Sequence, residues 1–282
     1  MAYPCKRCSS IFIILHLLCT CTLYTNGCYT SIICFGDSLS DTGNLKHITS
    51  TPFPYFYPPY GETFFHKPTG RASNGRLIVD FIGFVKNIPF FNGNGKKPKE
   101  LGQGVNYAVI GSSALDSAIL EARGVHNFVT NASLRVQLEW FRKSICANIS
   151  DCSHLIEDSL IFISQTGMND YLDALSAGKS ISEVGTYAPF VVEAIISSIN
   201  ELIELGAKTI LVPGTLPMGC LAFILQLYHI SDKTELLSIY HNELLVKELN
   251  KVRELHPDEN VIYADIYNAA MQIYRYPNKY GR

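Results

Sequence analysis

Five short apolar runs punctuate this chain, at residues 31–36, 104–113, 159–164, 208–214 and 260–265 ("SIICFG", "GVNYAVIGSS", "SLIFIS", "KTILVPG" and "NVIYAD"). Between them lie stretches that read as helical, at 76–85, 132–143, 187–205, 234–255 and 266–275. The clearest is 187–205, where Val192, Ile195, Ile196, Ile199, Leu202 and Ile203 form one apolar stripe and Gly206 supplies a C-terminal stop. Strand-length runs alternating with amphipathic helices predict an α/β domain with a mostly parallel sheet covered on both faces. Such sheets bind ligands beyond the carboxyl ends of their strands. Three of the runs end in suggestive turns: Gly36-Asp37-Ser38, Gly111-Ser112 and Gly167-Met168-Asn169-Asp170. In a parallel sheet all three open on one rim.

Of the 282 residues, 47% are hydrophobic and 17% charged, which suits one large domain or at most two. A formal net charge of −2 offers no electrostatic footprint for a nucleic-acid partner. Lys6 and Arg7, the apolar "IFIILHLL" (11–18), and the small residues Thr25 and Gly27 before Cys28 read as a cleavable secretory leader over 1–27, with the domain over 28–282. The apolar run falls well short of the ~20 residues a membrane span needs, so no stable membrane insertion is expected. Of nine cysteines, Cys5, Cys8, Cys19 and Cys21 leave with such a leader, and Cys28, Cys34, Cys146, Cys152 and Cys220 remain. Cys146 and Cys152 flank the polar loop "CANISDC", and in an oxidising compartment they are the expected disulfide, against the alternative of two buried thiols. No cysteine pairs have zinc-ligand spacing. Asn131 ("NAS") and Asn148 ("NIS") are glycosylation sequons, in keeping with a secreted surface. Residues 51–70, rich in Pro, Tyr and Phe, read as a long surface loop, and "PFPYFYPPY" (52–60) either packs or lines an acyl or aryl pocket.

A serine hydroxyl becomes a nucleophile when a base takes its proton, and it gains from a tight turn whose N–H points at the developing oxyanion. Ser38 lies just past a strand end, after Gly36, which lets backbone approach closely. Gly111 would present a backbone N–H unobstructed by a side chain, and Asn169 a side-chain amide N–H. Each also has a plain reading: Ser38 and Gly111 as turn residues, Asn169 as a cap before a helix.

"FGDSLSDTGN" (35–44), "NYAVIGSSAL" (106–115) and "GMNDY" (167–171), in that order, resemble blocks I, II and III of the GDSL esterase/lipase family, also called SGNH hydrolases. "RASNGRLIVDFIG" (71–83), "LPMGC" (216–220) and "YADIYNAAMQIY" (263–274) are similar to the plant secreted branch, that of sinapine esterase and acetylajmalan esterase. The resemblance spans nearly all of 29–282. It implies a flavodoxin-like α/β/α sandwich and a small-molecule ester substrate. It implies that Ser38 is the nucleophile of an acyl-enzyme route, and that Ser38 N–H, Gly111 N–H and the Asn169 amide form the oxyanion hole. No metal or organic cofactor is implied, because that mechanism uses side chains and water.

The family's remaining block is Asp-x-x-His near the C-terminus, where His is the general base and Asp orients it. This sequence ends at "YPNKYGR" without it, so the base and its Asp are not present, and the expectation is a C-terminally truncated, impaired member. In another serine hydrolase, losing the base costs about 10⁶ in kcat and leaves roughly 10³ over water. "DCSH" gives Asp151-x-x-His154 the right spacing but precedes the Asn block, so it reads as a surface loop, and His256 before Pro257 reads as a helix-end residue. The segment after Cys220 is shorter than in the family and lacks a further cysteine, which leaves Cys220 unpaired. "AGKS" (177–180) has Asp173 where a P-loop needs its first glycine, and "GQGVNY" lacks the third glycine of a dinucleotide fingerprint. The alternative function is a non-catalytic secreted glycoprotein that binds acylated metabolites, sugars or lipids.

Overall fold

β-Branched and aromatic residues dominate the strands, and burial on both sides of a parallel sheet explains why those runs are nearly continuous in apolar character. The computed structural model describes residues 29–82, 104–145, 152–228 and 231–280. The strands are β1 Ser31–Phe35, β2 Gly104–Asn106, β3 Ser159–Ile163, β4 Thr209–Pro213 and β5 Asn260–Ala264. The helices are α1 Asn44–Ile48, α2 Ile78–Ile82, α3 Ser117–Glu121, α4 Leu134–Ser144, α5 Ser153–Glu157, α6 Met168–Ser176, α7 Ile181–Gly185, α8 Ala188–Glu204, α9 Ala222–Tyr228, α10 Ser231–Leu255 and α11 Ile266–Arg275. All strand pairs are parallel, in the order β2-β1-β3-β4-β5. That is the doubly wound, flavodoxin-like order, and the expected α/β class holds.

Among the described residues, the two faces of the sheet are clothed unequally. On one, Ile33, Phe35, Ile161, Ile163, Ile210 and Val212 belong to the main core with Leu134, Leu138 and Phe141 of α4, Val192, Ile195 and Ile199 of α8, and Leu245 and Leu249 of α10. The stripe on 187–205 is the reason: Val192, Ile195, Ile199 and Leu202 are buried while Ile196 and Ile203 flank the core, half-exposed. On the other face, Ile32, Cys34, Leu160 and Phe162 pack under Leu77, Val79 and the edge of α2. Helix α2 is fixed by a bidentate ion pair, Arg71 Nη2 to Asp80 Oδ1 at 2.7 Å and Nε to Oδ2 at 3.1 Å, both side chains buried. Helix α11, after β5, buries no residue.

Two elements differ from the sequence reading. The run 104–113 forms a strand only over Gly104–Asn106. Beyond it the N–H groups still follow β1, from Tyr107 to Cys34 O at 2.7 Å and Val109 to Gly36 O at 3.0 Å. The carbonyls of Asn106 and Ala108, however, accept the Asn44 side-chain amide, each at 2.8 Å. Those two carbonyls face away from β1, and the Gly36 N–H that would donate the next rung goes instead to Gln137 Oε1 at 2.9 Å. "PFPYFYPPY" holds a 3₁₀ turn at Pro54–Phe56, and Phe53, Tyr55 and Phe56 pack, partly buried, on Leu45, Val109 and Ile110, while Pro52, Pro54, Tyr57, Pro58 and Pro59 are exposed.

Candidate active site

The first turn begins where β1 ends. Gly36 has φ of 135°, and a Cβ there would lie 2.7 Å from Ser164 Cβ, so glycine is dictated by both conformation and space. Asp37 O accepts from the N–H groups of Ser40 and Asp41, and Asp37 Oδ1 from Leu39 N at 3.0 Å, which folds the chain back around Ser38. Ser38 is half-buried. Among the described residues, neither its hydroxyl nor its N–H has a hydrogen-bonding partner.

The second turn carries Gly111 at φ of 80°, crowded against Val129, with its carbonyl accepting from Asn127 Nδ2 at 2.6 Å. The Gly111 N–H has no partner among the described residues. The third turn leads into α6. Gly167 is the residue that caps α6, and Asn169 is the second helical residue rather than the cap. Its side chain crosses to the second turn, donating from Nδ2 to Ser112 O at 2.8 Å. An amide nitrogen has two protons, so one remains available beside Gly111.

Three side chains that sequence reasoning passed over lace these turns together. Asp41 accepts at Oδ1 from Gly43 N (2.7 Å) and Asn44 N (2.5 Å), and at Oδ2 from Leu45 N (3.1 Å) and Ile110 N (2.9 Å), joining the first turn to the second. Asp170 accepts from Ala114 N at 2.8 Å and Leu115 N at 2.9 Å, joining the third to the second. Gln137, on α4, accepts from Gly36 N and donates to Gly36 O, both at 2.9 Å, and donates to Ser112 Oγ at 2.6 Å. Ser38, Gly111 and Asn169 therefore sit on one rim, tied through their neighbours. Asp41 and Asp170 lay inside the quoted blocks. Gln137 had one faint signal, a polar residue beside Leu138 on the helix face that also carries Leu134 and Phe141.

Burial pushes the carboxyls of Asp37 and Asp170 up to about 7 and that of Asp41 up to about 6, while the backbone N–H donors they accept pull each the other way. Burial pushes His241 down to about 4, so its imidazole is neutral. Its Nδ1 lies 2.8 Å from the Tyr171 hydroxyl, and its Nε2 has no partner among the described residues.

Other expected positions fall as follows. Cys152 is disulfide-bonded, while Cys146, Asn148, Cys28 and the leader lie outside the described residues. Cys34 and Cys220 are free thiols, with Cys220 Sγ 3.9 Å from Met271 Sδ. Asn131 is exposed. His154 stands on α5, a short helix rather than a loop, exposed and facing Glu157 at 3.8 Å. No group of metal-ligating side chains occurs among the described residues.

Residues 32–282 match the GDSL-like Lipase/Acylhydrolase family. The chain belongs to that family. GDSL esterase/lipase At1g28570 of Arabidopsis thaliana is 44% identical over 297 aligned positions, covering 96% of this chain and 75% of the relative. GDSL esterase/lipase At1g28590 of the same plant is 44% identical, covering 96% and 72%. Among solved structures, an acetylxylan esterase of Geobacillus stearothermophilus aligns with a TM-score of 0.44 at 14% identity, over 87% of this chain and 80% of that one. A likeness that slight carries no argument about substrate. The GDSL block itself is the first turn, the second turn is laced to it, and the third is laced to the second.

Proposed function

We propose that this GDSL protein cleaves carboxylic esters of small molecules, with Ser38 attacking the carbonyl and an acyl-enzyme released by water. Ser38 N–H, Gly111 N–H and the second Asn169 Nδ2 proton receive the oxyanion. One observation carries the reading: three donors on one rim, from three different turns, have protons with no acceptor among the described residues. Ser38, Gly111 and Asn169 are each partly exposed, so these donors are open to an incoming oxyanion. The N-terminus of α6 adds its dipole to the same spot.

Among the described residues, no histidine or carboxylate hydrogen-bonds to Ser38. Candidate substrates are aryl-choline esters, acetylated alkaloids, acetylated sugars and acyl lipids. The leader reading and the disulfide at Cys152 support an oxidising, extracellular destination. Exposed Asn131 fits a glycan.

The test is p-nitrophenyl acetate hydrolysis by the parent and by Ser38→Ala, with intact-mass detection of an acetyl adduct. Turnover and adduct that both vanish in Ser38→Ala are expected. Ligand retention without Ser38-dependent turnover would replace the hydrolase with a binding protein.

A further inference from the structure

Gln137 is fully buried, and its amide reaches both the turn that carries the nucleophile and the turn that carries the oxyanion glycine. Oε1 takes the Gly36 N–H, and Nε2 serves Gly36 O, Ser112 Oγ and, at 3.1 Å, Ala132 O. The pair of bonds to Gly36 fixes the peptides on both sides of a residue two positions before Ser38. The bond to Ser112 fixes the residue after Gly111, and Ser112 O is the acceptor that orients Asn169. The helix beneath is itself pinned: Ser133 caps α4, accepting from Val136 N at 3.3 Å, and its hydroxyl is bound to Asp116. One side chain on a rigid helix thereby sets the spacing of nucleophile and oxyanion donors without touching substrate.

We propose that Gln137 is a positioning residue for ester cleavage, holding the Ser38 turn and the Gly111–Ser112 turn in register so that the hydroxyl and the oxyanion donors address one carbonyl. This rests on the hydrolase reading above. Displacing reacting groups by about 1 Å costs around 10²-fold in rate, so Gln137→Leu, which keeps the bulk and loses every bond, lowers the Ser38 acylation rate about 10²-fold. Substrate half-saturation stays within about twofold, because binding contacts are intact. The effect is shared with Asn169 through Ser112. In a cycle of Gln137→Leu, Asn169→Ala and the double variant, the double loss falls short of the product of the single losses.

The experiment measures acylation by p-nitrophenyl acetate, Tm, and backbone amide shifts in the parent, Ser38→Ala, the cycle, and Leu138→Ala. Leu138 is the adjacent buried residue of α4 and has no part in the site. Expected are a Leu138→Ala protein with lower Tm and an unchanged rate, and a Gln137→Leu protein with shifted Gly36, Ser38 and Gly111 amides and a depressed rate. Rates that fall in step with Tm in both variants, or single effects that simply multiply, overturn the proposal. A parent without Ser38-dependent acylation ends the hydrolase reading instead. The amide shifts then decide alone: unmoved Gly36, Ser38 and Gly111 signals in Gln137→Leu refute the positioning role.

Discussion

At the scale of single residues, the site is built from glycines that must be glycines and polar side chains that hold turns. Gly36→Ala puts a Cβ 2.7 Å from Ser164 Cβ at φ of 135°. We expect about 3 kcal/mol of lost stability, read as a lower urea midpoint. A shift below about 1 kcal/mol would mean that the turn relaxes freely. The turns that carry Ser38, Gly111 and Asn169 were legible from sequence because each follows a strand in a short, distinctive block. The lacing was not, because hydrogen bonds such as Gln137 to Gly36 span 101 positions, and no local pattern encodes a partner that far away. The cap reading of Asn169 failed because Gly167 occupies that position and frees the asparagine to reach Ser112.

At the scale of elements, periodicity was a good guide wherever a helix had one wet and one dry face. The stripe of α8 and its stop at Gly206 follow that rule. It was a poor guide for 104–113, since apolar character there outlasts the strand pairing, the Gly36 N–H that would continue it being bound to Gln137. Short helices such as α1, α3 and α7 carry too few turns for a period to register. Among the described α-helices, α11 stands apart because it buries nothing, whereas α8 buries seven residues. Opening free energy follows buried contacts. Hydrogen exchange followed by mass spectrometry is expected to exchange α11 amides well before those of α8, and equal protection would contradict this packing.

For the whole molecule, the alternation of runs and helices was enough to forecast a parallel sheet, since crossover connections leave few other options. It did not forecast how unevenly the two faces are covered. Nor did it forecast how many carboxyls are buried. Asp37, Asp41 and Asp170, together with Asp173 at about 7, have raised values from burial. The ordinary aspartate value is about 3.9, so between about pH 4 and 7 the folded chain holds protons that the unfolded chain has released. That stability is complete below about pH 4 and is lost as pH rises through 6 to 7. His241 runs the opposite way, its contribution lost as pH falls from about 6.5 toward about 4. Asp170→Asn isolates one carboxyl: between pH 5 and 8 the parent Tm should fall more steeply than the variant's. Superimposable slopes would show that Asp170 titrates alike in both states.

The ties among Asp41, Gln137, Asn169 and Asp170 join loop to loop rather than each loop to its own strand. A mouth sewn in this way resists remodelling one lip at a time, since a change in any stitch tugs on the others. Diversity in what the mouth accepts must therefore come from neighbouring segments that rest on it without being sewn in. The aromatic stretch around Phe53, Tyr55 and Phe56, which leans on Val109 and Ile110 by packing alone, is such a segment.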